Sequence, residues 1–490
     1  MAGTRVGRAG RAALRAAGGR RRALLRAAVA VLLLLASACS PPRTTARPGD
    51  ASTAPPSEAP IGTLTASPGA RSSRPLLPDD WPTYHRDPAR TGAAPGLSAL
   101  GPLRNAWSTQ LDGAVYGEPL VVGGRVIAAT ESDTVYALDA ASGQIVWQRN
   151  LGSPVPRSAL PCGDIDPLGI TGTPVYDPAT GLVFAVTELS GGHHELAGLD
   201  VSDGALVVRR DVEPPRGDPL AYQQRAALAL LGGRVYIAYG GLYGDCSDYT
   251  GTVLSVSTSG GGPIDSYVVP TSREGGIWAP GGPAVDGSRL LVGVGNGEST
   301  TSYDGSDSVL SLDASLHRTD FFAPSSWAQE NADDADLGST TPVRVGPYVF
   351  MDGKAGTAYL LDPNHFGGIG GAVAQAAVCR AFGTPAVRGT TLYVPCRDGL
   401  QQVTVTDPAA IHAGWKLPLH AAGSPVTGAG AVWVVDYGTG VLYALDPETG
   451  HALQQAQLGP VPHFATPTLS GGRVFVGTLH GVTALTWGSP

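Results

Sequence analysis

The stretch PLVVGGRVIAATESDTVYALDAASGQIVWQR, residues 119–149, contains one complete copy of the pattern that decides the fold. Gly123 and Gly124 separate two short apolar runs. Gly143 lies in the turn that precedes the last apolar run. Glycine supplies the positive φ that tight hairpin turns need. The pattern predicts four strands, at residues 119–122, 126–130, 134–138 and 145–149.

The same pattern recurs along the chain, in each case with an apolar residue about seven positions after its start. The eight copies begin at Pro119, Pro174, Leu228, Pro283, Pro342, Pro385, Pro425 and Pro467. Successive copies are 40 to 59 residues apart. Units of four antiparallel strands at this spacing predict an all-β, eight-bladed β-propeller. A seven-bladed ring would require two weak copies to merge.

The two ends of the array predict how the ring closes. The last copy ends after its third strand, whereas an unassigned strand at residues 105–111 precedes the first copy. This strand is similar to the fourth strands elsewhere, so we expect it to complete the last blade and remove an exposed sheet edge. The predicted propeller spans residues 79–490.

The first 39 residues are typical of a signal peptide. Eight Arg and no acidic residue lie within residues 1–30, and an apolar run follows at 27–36. That run is too short to cross a bilayer as a helix. The residues Ala36-Ser37-Ala38-Cys39 resemble a bacterial lipobox, in which the Cys is lipidated. We therefore predict an exported protein anchored to a membrane through Cys39, with free secretion after ordinary cleavage as the alternative.

Residues 40–78 are rich in Pro, Ser, Thr, Ala and Gly and show no hydrophobic periodicity. Such a composition cannot bury enough apolar surface to fold. We predict a disordered tether that would hold the propeller away from the membrane.

The charge of the chain limits its partners. The formal net charge is −8, and without the eight N-terminal Arg the chain has 25 basic and 41 acidic residues. An acidic surface repels phosphate backbones, so no nucleic-acid partner is expected. An envelope protein or a small molecule remains possible as partner.

The repeats resemble a known family. The segments YALDAASGQIVW (136–147) and YALDPETG (443–450) are similar to the blade signature of pyrroloquinoline quinone (PQQ) repeat propellers. The segment WPTYHRDPARTG (81–92) is similar to one that often precedes them. The family includes quinoprotein alcohol dehydrogenases and the non-catalytic lipoprotein of the outer-membrane barrel assembly machinery. The resemblance covers roughly residues 81–490 and implies the fold more strongly than the function.

The resemblance implies a specific site if the chain is a dehydrogenase. Such enzymes have adjacent cysteines below the quinone, a Trp platform, a Ca²⁺ held by Glu, Asn and Asp, and a catalytic Asp. This chain has no adjacent Cys pair. The fourth repeat does have Trp278 before its first strand and Asn296 after its second. The channel entrance supplies further polar candidates, so the candidate ligand-binding residues are Gln224, Arg225, Trp278, Asn296 and Lys354.

Acidic residues near these positions are weak candidates for a metal site. Their carboxylates suit Ca²⁺, although the spacing is not that of an EF-hand loop. A solvated loop that caps its own turns is the simpler interpretation. The candidates are Asp304, Asp307, Asp333 and Asp336.

Four cysteines follow the predicted signal peptide: Cys162, Cys246, Cys379 and Cys396. In an oxidising compartment they are expected to form two disulfides. A hairpin brings Cys379 and Cys396 to one end, which leaves Cys162 and Cys246 to join the second and third repeats. Free thiols are the alternative.

These observations together favour a non-catalytic binding or scaffolding module at the bacterial cell envelope, with no cofactor. The alternative is a divergent quinoprotein dehydrogenase that uses PQQ and calcium to oxidise an alcohol or a sugar. Binding of a small molecule in the channel without chemistry is a third possibility.

Overall fold

The computed structural model describes residues 75–487, which form eight antiparallel sheets arranged as the blades of a propeller. The eight-bladed all-β fold expected from the repeats is confirmed. The predicted signal peptide, Cys39 and residues 40–74 of the predicted tether lie outside the described residues. Within residues 75–487, no helix is both long enough and apolar enough to cross a membrane.

The blades are numbered from the first repeat, with the strands of each blade given from the channel outward. Blade 1 consists of Leu120–Val122, Arg125–Ala129, Thr134–Asp139 and Ile145–Asn150. Blade 2 consists of Val175–Asp177, Leu182–Leu189, His193–Asp200 and Leu206–Asp211. Blade 3 consists of Ala229–Leu231, Arg234–Gly241, Thr252–Ser257 and Asp265–Val268, with Tyr222–Gln223 added beside its second strand. Blade 4 consists of Ala284–Asp286, Arg289–Val294, Ser308–Asp313 and Arg318–Ala323, with Gly368–Ile369 added at its outer edge.

The remaining blades follow the same order. Blade 5 consists of Val343–Val345, Tyr348–Met351, Thr357–Leu361 and Ala374–Ala377. Blade 6 consists of Ala386–Arg388, Thr391–Cys396, Gly399–Thr406 and Ala410–Pro418. Blade 7 consists of Val426–Gly428, Ala431–Asp436, Val441–Leu445 and Ala452–Gln457. Blade 8 consists of Thr468–Ser470, Arg473–Thr478, Gly481–Thr486 and the N-terminal strand Arg104–Gln110. The short helices are Arg157–Ala159, Pro219–Ala221, Trp327–Asp333 and Leu337–Ser339.

Contacts between a Trp and a Gly explain why the repeat signature contains both residue types. Trp147 of blade 1 is 8% exposed and donates a hydrogen bond to the carbonyl oxygen of Val201 in blade 2 at 3.0 Å. A Cβ on Gly204 would lie 2.6 Å from the Trp147 ring. Gly204 also has a φ of +72°. The turn thus needs Gly both for its backbone conformation and for the close approach of the neighbouring blade.

The N-terminal strand closes the ring, as the sequence predicts. Arg104–Gln110 pairs antiparallel with Gly481–Thr486. The hydroxyl oxygens of Ser108 and Thr483 lie 3.1 Å apart across this pair. The two ends of the propeller are therefore joined by backbone hydrogen bonds, which leave neither end of the array as an unpaired sheet edge.

Residues 81–94, which we call the plug, lie against the first strands of the blades. Trp81 at one end forms an antiparallel bridge to Val121 of blade 1. Ala93–Ala94 at the other end runs parallel to Val426–Gly428 of blade 7. The plug therefore crosses the ring from one blade to another at the level of the innermost strands.

Two buried residues with ionisable side chains, Arg90 and Glu118, hold the plug in place. Arg90 has no exposed surface and donates to the carbonyl oxygens of Leu228 and Pro283 at 2.9 and 3.1 Å. Glu118 of the first repeat, 2% exposed, accepts from the backbone nitrogen of His85 at 2.7 Å. Burial raises the pKa of Glu118 to about 8, and the nearby charge of Arg90 offsets only part of this increase. The plug is therefore buried and hydrogen-bonded within the channel.

Candidate functional site

The candidate site lies at one end of the channel. In every blade the first two strands are antiparallel, so the loop before the first strand meets the end of the second strand at the same end. Trp278 and Phe464 precede the first strands of blades 4 and 8, whereas Asn296 and Lys354 follow the second strands of blades 4 and 5. These four side chains line one cavity of about 350 Å³.

The cavity lining includes an aromatic pair, each ring of which faces a different cation. The rings of Trp278 and Phe464, which we call the aromatic pair, have centroids 6.4 Å apart. The guanidinium carbon of Arg225 lies 5.3 Å from the centroid of Phe464. The Lys354 Nζ lies 5.4 Å from the Trp278 ring centroid. Both cations are thus within the range of attraction to an aromatic face.

Arg225 has a neutral partner. Its Nη2 lies 2.7 Å from Nε2 of His463. Burial, together with the charge of Arg225, lowers the pKa of His463 to about 3. The imidazole is therefore neutral at physiological pH and accepts the hydrogen bond. Burial also lowers the pKa of Arg225, although Asp164 nearby opposes this effect. His463 thus orients the guanidinium without cancelling its charge.

Lys354, in contrast, is paired with carboxylates. Its Nζ lies 2.8 Å from Oδ1 of Asp334 and also contacts Oδ2 of Asp336. Burial on its own lowers the pKa of Lys354, but the two carboxylates more than compensate and raise it. Burial raises the pKa of Asp336, whose side chain is 2% exposed. The ammonium group is therefore charged and held in place.

Asn296 lies between two buried carboxylates. Its backbone nitrogen donates to Oδ1 of Asp336 at 2.7 Å, and its Nδ2 donates to Oε2 of Glu274 at 3.3 Å. Glu274 is 8% exposed, and burial raises its pKa to about 7. A Cβ on Gly295 would lie 2.3 Å from Oδ1 of Asp336, so only Gly fits beside this contact.

Asn331 supports this arrangement from behind the cavity wall. It belongs to the helix Trp327–Asp333, although the sequence predicts a loop at these residues. Its Oδ1 accepts from the backbone nitrogen of Gly297 at 2.7 Å, and its Nδ2 donates to Oγ of Ser306 at 2.9 Å. The side chain therefore ties the loop that carries Asn296 to the segment that leads to Asp336.

The structure brings together most of the candidates chosen from the sequence. The cavity lining includes Arg225, Trp278, Asn296, Asp336 and Lys354. These residues come from five separate loops, which are positioned by blades 3, 4 and 5. A cavity with convergent polar and aromatic groups is the usual form of a small-molecule site.

Other candidates lie away from the cavity lining. Gln224 is 1% exposed and donates from its Nε2 to the carbonyl oxygen of Ala226 at 2.6 Å. Asp304, Asp307 and Asp333 accept hydrogen bonds from nearby backbone or side-chain groups. In residues 75–487, no group of three or more His, Cys, Asp or Glu side chains is arranged to hold a metal ion.

Several site residues have no signal in the sequence. Phe464 is part of the aromatic pair, Glu274 contacts Asn296, and Tyr243 lies at the mouth of the cavity. All three lie in loops, outside the strands on which the repeat is recognised. Only the positions of the loops in space identify them.

Both disulfides expected from the sequence are present. Cys162 bonds to Cys246 and Cys379 bonds to Cys396, with Cα–Cα distances of 6.2 and 5.8 Å. The first bond joins the loop before blade 2 to the loop after the second strand of blade 3. Both of these loops contribute residues to the cavity mouth, through Asp164 and Tyr243.

The fold and the cavity define an eight-bladed propeller with a polar and aromatic pocket at one end. Residues 103–238 match the family described as outer membrane protein assembly factor BamB. A polyvinylalcohol dehydrogenase from Sphingopyxis sp. (strain 113P3) is 23% identical over 338 residues, which cover 59% of this chain and 49% of that protein. The chain thus spans about half the length of the curated relatives it matches.

Solved structures share the fold. The quinohemoprotein alcohol dehydrogenase from Comamonas testosteroni has a TM-score of 0.64 at 17% identity, with 84% of this chain and 81% of that chain covered. BamB from Moraxella catarrhalis has a TM-score of 0.54 at 18% identity, with 78% and 97% covered. Together these matches confirm the resemblance to PQQ-repeat propellers of the quinoprotein alcohol dehydrogenase type.

Two expectations from the sequence are wrong. A non-catalytic module without a cofactor is contradicted by the matched relatives, which are dehydrogenases. The expectation gave too much weight to the missing Cys pair. That pair would supply one contact to a ligand, whereas the cavity brings together an aromatic pair and two cations.

An extracytoplasmic location agrees with the two disulfides, because such bonds persist in oxidising compartments. It agrees also with the match to an outer membrane assembly factor.

Proposed function

We propose that this protein is a quinone-dependent dehydrogenase that binds PQQ in the cavity around the aromatic pair and oxidises the hydroxyl group of an alcohol. The proposal rests on one observation above all, the aromatic pair with Arg225 on one side and Lys354 on the other. The dehydrogenases among the relatives support the same reaction class.

The cavity fits the chemistry of PQQ, a planar aromatic quinone with three carboxylates. An aromatic surface for stacking is provided by Trp278, and the two cations can pair with carboxylates or with a quinone oxygen. The neutral His463 leaves the charge of Arg225 available for such a partner. When bound, the quinone supplies the acceptor for the two electrons and the C–H hydrogen that an alcohol loses on oxidation.

The cavity also offers oxygen donors for calcium. Glu274 and Asn296 contact each other and represent the Glu and Asn of the set that the family resemblance implies. Oxygen donors of this kind are the preferred ligands of Ca²⁺. We propose that Glu274 and Asn296 contribute ligands to the cation, while Asp336 stays paired with Lys354.

Asp336 is the carboxylate best placed to accept the proton of the substrate hydroxyl. It lines the cavity and is 2% exposed. Burial raises its pKa, which makes it a stronger base than an ordinary carboxylate. Lys354 and the backbone of Asn296 hold its two oxygens in place.

The chain contains its own control for the role of Lys354, because it has only two lysines. Lys416 pairs with Asp398 at 2.7 Å on the outer strand of blade 6, outside the cavity. Binding of PQQ to the full mature chain, with and without Ca²⁺, is measured by quenching of Trp fluorescence. Lys354→Met is expected to raise the PQQ Kd about tenfold or more, because one charge-assisted contact is lost. Lys416→Met is expected to leave the Kd unchanged.

Activity is measured with an artificial electron acceptor and secondary alcohols, including polyvinyl alcohol. At 100 times its Kd, PQQ should stabilise the fold by about 2.7 kcal/mol, which a thermal melt detects. The absence of both PQQ binding and PQQ-dependent oxidation in the unmodified chain would overturn the proposed function.

We further propose that the protein is exported and anchored through a lipid on Cys39, with residues 40–78 as a tether. The sequence pattern at residues 1–39 supports this proposal. Expression of the full chain and of Cys39→Ser, followed by membrane fractionation, tests it. Membrane association that does not depend on Cys39 would argue against the lipid anchor.

A further inference from the structure

Tyr243 is an exposed aromatic residue at the mouth of the cavity. Its side chain is 72% exposed, the largest value among the exposed large apolar and aromatic side chains of residues 75–487. It lines the same cavity as Trp278 and Lys354. An aromatic ring that faces solvent beside a binding cavity offers a flat apolar surface on which a ligand can lie.

The backbone that carries Tyr243 is firmly anchored. The preceding residue, Leu242, is 2% exposed and packs in an apolar cluster. The carbonyl oxygen of Tyr243 accepts from the backbone nitrogen of Gly163 at 3.0 Å. The Cys162–Cys246 disulfide joins the same two loops. The ring is therefore presented to solvent by a rigid loop, so little conformational entropy is lost when it contacts a ligand.

The charges around Tyr243 differ from those deeper in the cavity. The carboxylates of Asp164, Asp245 and Asp334 line the cavity near its mouth, and Asp334 is 67% exposed. The cations Arg225 and Lys354 are more deeply buried. Carboxylates accept hydrogen bonds from hydroxyl groups and repel anions. These carboxylates thus offer acceptors to the hydroxyl groups of a substrate and disfavour an anionic chain.

We infer that Tyr243 forms an outer subsite for an uncharged chain with several hydroxyl groups. One hydroxyl-bearing carbon reaches the inner cavity, while the adjoining chain lies across the ring of Tyr243 and donates hydrogen bonds to the rim carboxylates. This inference rests on the proposed function and names the substrate class of the same site: an extended neutral polyol rather than a small alcohol or an acidic sugar.

Kinetics of the PQQ-loaded full chain with a long and a short substrate test the subsite. Tyr243→Ala is expected to raise the KM for a polyvinyl alcohol oligomer about tenfold, and to raise the KM for propan-2-ol far less because the small alcohol does not reach the outer subsite. Tyr243→Phe retains the ring and should behave like the unmodified chain. Ile145→Ala, at a 47% exposed position on the outer strand of blade 1, is the control for removal of exposed apolar surface.

A binding measurement without PQQ separates this inference from the proposed function. Calorimetric titration of the quinone-free chain with the same oligomer should show binding that Tyr243→Ala weakens about tenfold. If PQQ fails to bind but this effect is present, the outer subsite stands and the proposed function does not. Equal effects of Tyr243→Ala on propan-2-ol and the oligomer would overturn the inference, as would equally tight binding of a polyanion such as polygalacturonate.

Discussion

Asn331 lies behind the cavity wall, and its amide links two segments that carry site residues. It holds the backbone of Gly297 on one side and the hydroxyl of Ser306 on the other. The side chain is 8% exposed, so water cannot easily replace these hydrogen bonds. The position of Asn296 in the cavity therefore depends on a residue that does not line it.

Replacing Asn331 by Ala should lower the free energy of unfolding by about 1–3 kcal/mol, because a buried backbone N–H loses its acceptor. The PQQ Kd should rise about threefold or more as Asn296 loses its fixed position. Asn331→Asp keeps the Oδ1 acceptor and should cost less in both measurements. Urea unfolding and the fluorescence titration measure the two effects. A destabilised Asn331→Ala variant with an unchanged Kd would show that the residue supports the fold alone.

Among the structural elements, the plug is expected to make stability depend on pH. Burial raises the pKa of Glu118 from its ordinary value of 4.5 to about 8. Between these two values the unfolded chain releases the proton, whereas the folded chain retains it. The contribution of Glu118 to stability is therefore present below pH 4.5 and is lost as the pH rises toward 8.

Glu118→Gln removes this titration while keeping the size of the side chain. The free energy of unfolding of the variant should fall less between pH 5 and pH 8, by an amount on the order of 1–3 kcal/mol. Urea unfolding at several pH values measures the difference. Parallel pH profiles for the variant and the unmodified chain would contradict the role assigned to Glu118.

The two disulfides should differ in their contribution to stability. Cys162 and Cys246 are 84 residues apart in sequence, whereas Cys379 and Cys396 are 17 apart. In the chain-entropy account, the bond that closes the longer loop stabilises the fold by about 1.4 kcal/mol more. Thermal melts of the two double Ser variants compare them. An equal or greater loss in the Cys379→Ser, Cys396→Ser variant would contradict this account.

At the scale of the whole molecule, local pattern and long-range assembly explain different parts of the structure. The strands and turns of a blade follow from alternation and Gly within about 30 residues, so the blade count and ring closure can be predicted. Trp278 and Asn296 can also be identified from the sequence, because both lie next to strands of a single repeat. Arg225 and His463, by contrast, are 238 residues apart and meet only because the ring closes. Phe464 follows no repeat position, so its role cannot be predicted from the sequence.

The plug has a consequence for molecular traffic through the propeller. Trp81, His85 and Arg90 are fully buried within the ring, and Tyr84 contacts Thr466, two residues beyond Phe464. With that end filled, we expect ligands to enter the cavity on the side of Tyr243, whose side chain is 72% exposed. In a dehydrogenase of this shape, the alcohol, the oxidised product and the electron acceptor would all pass through this one mouth of the cavity.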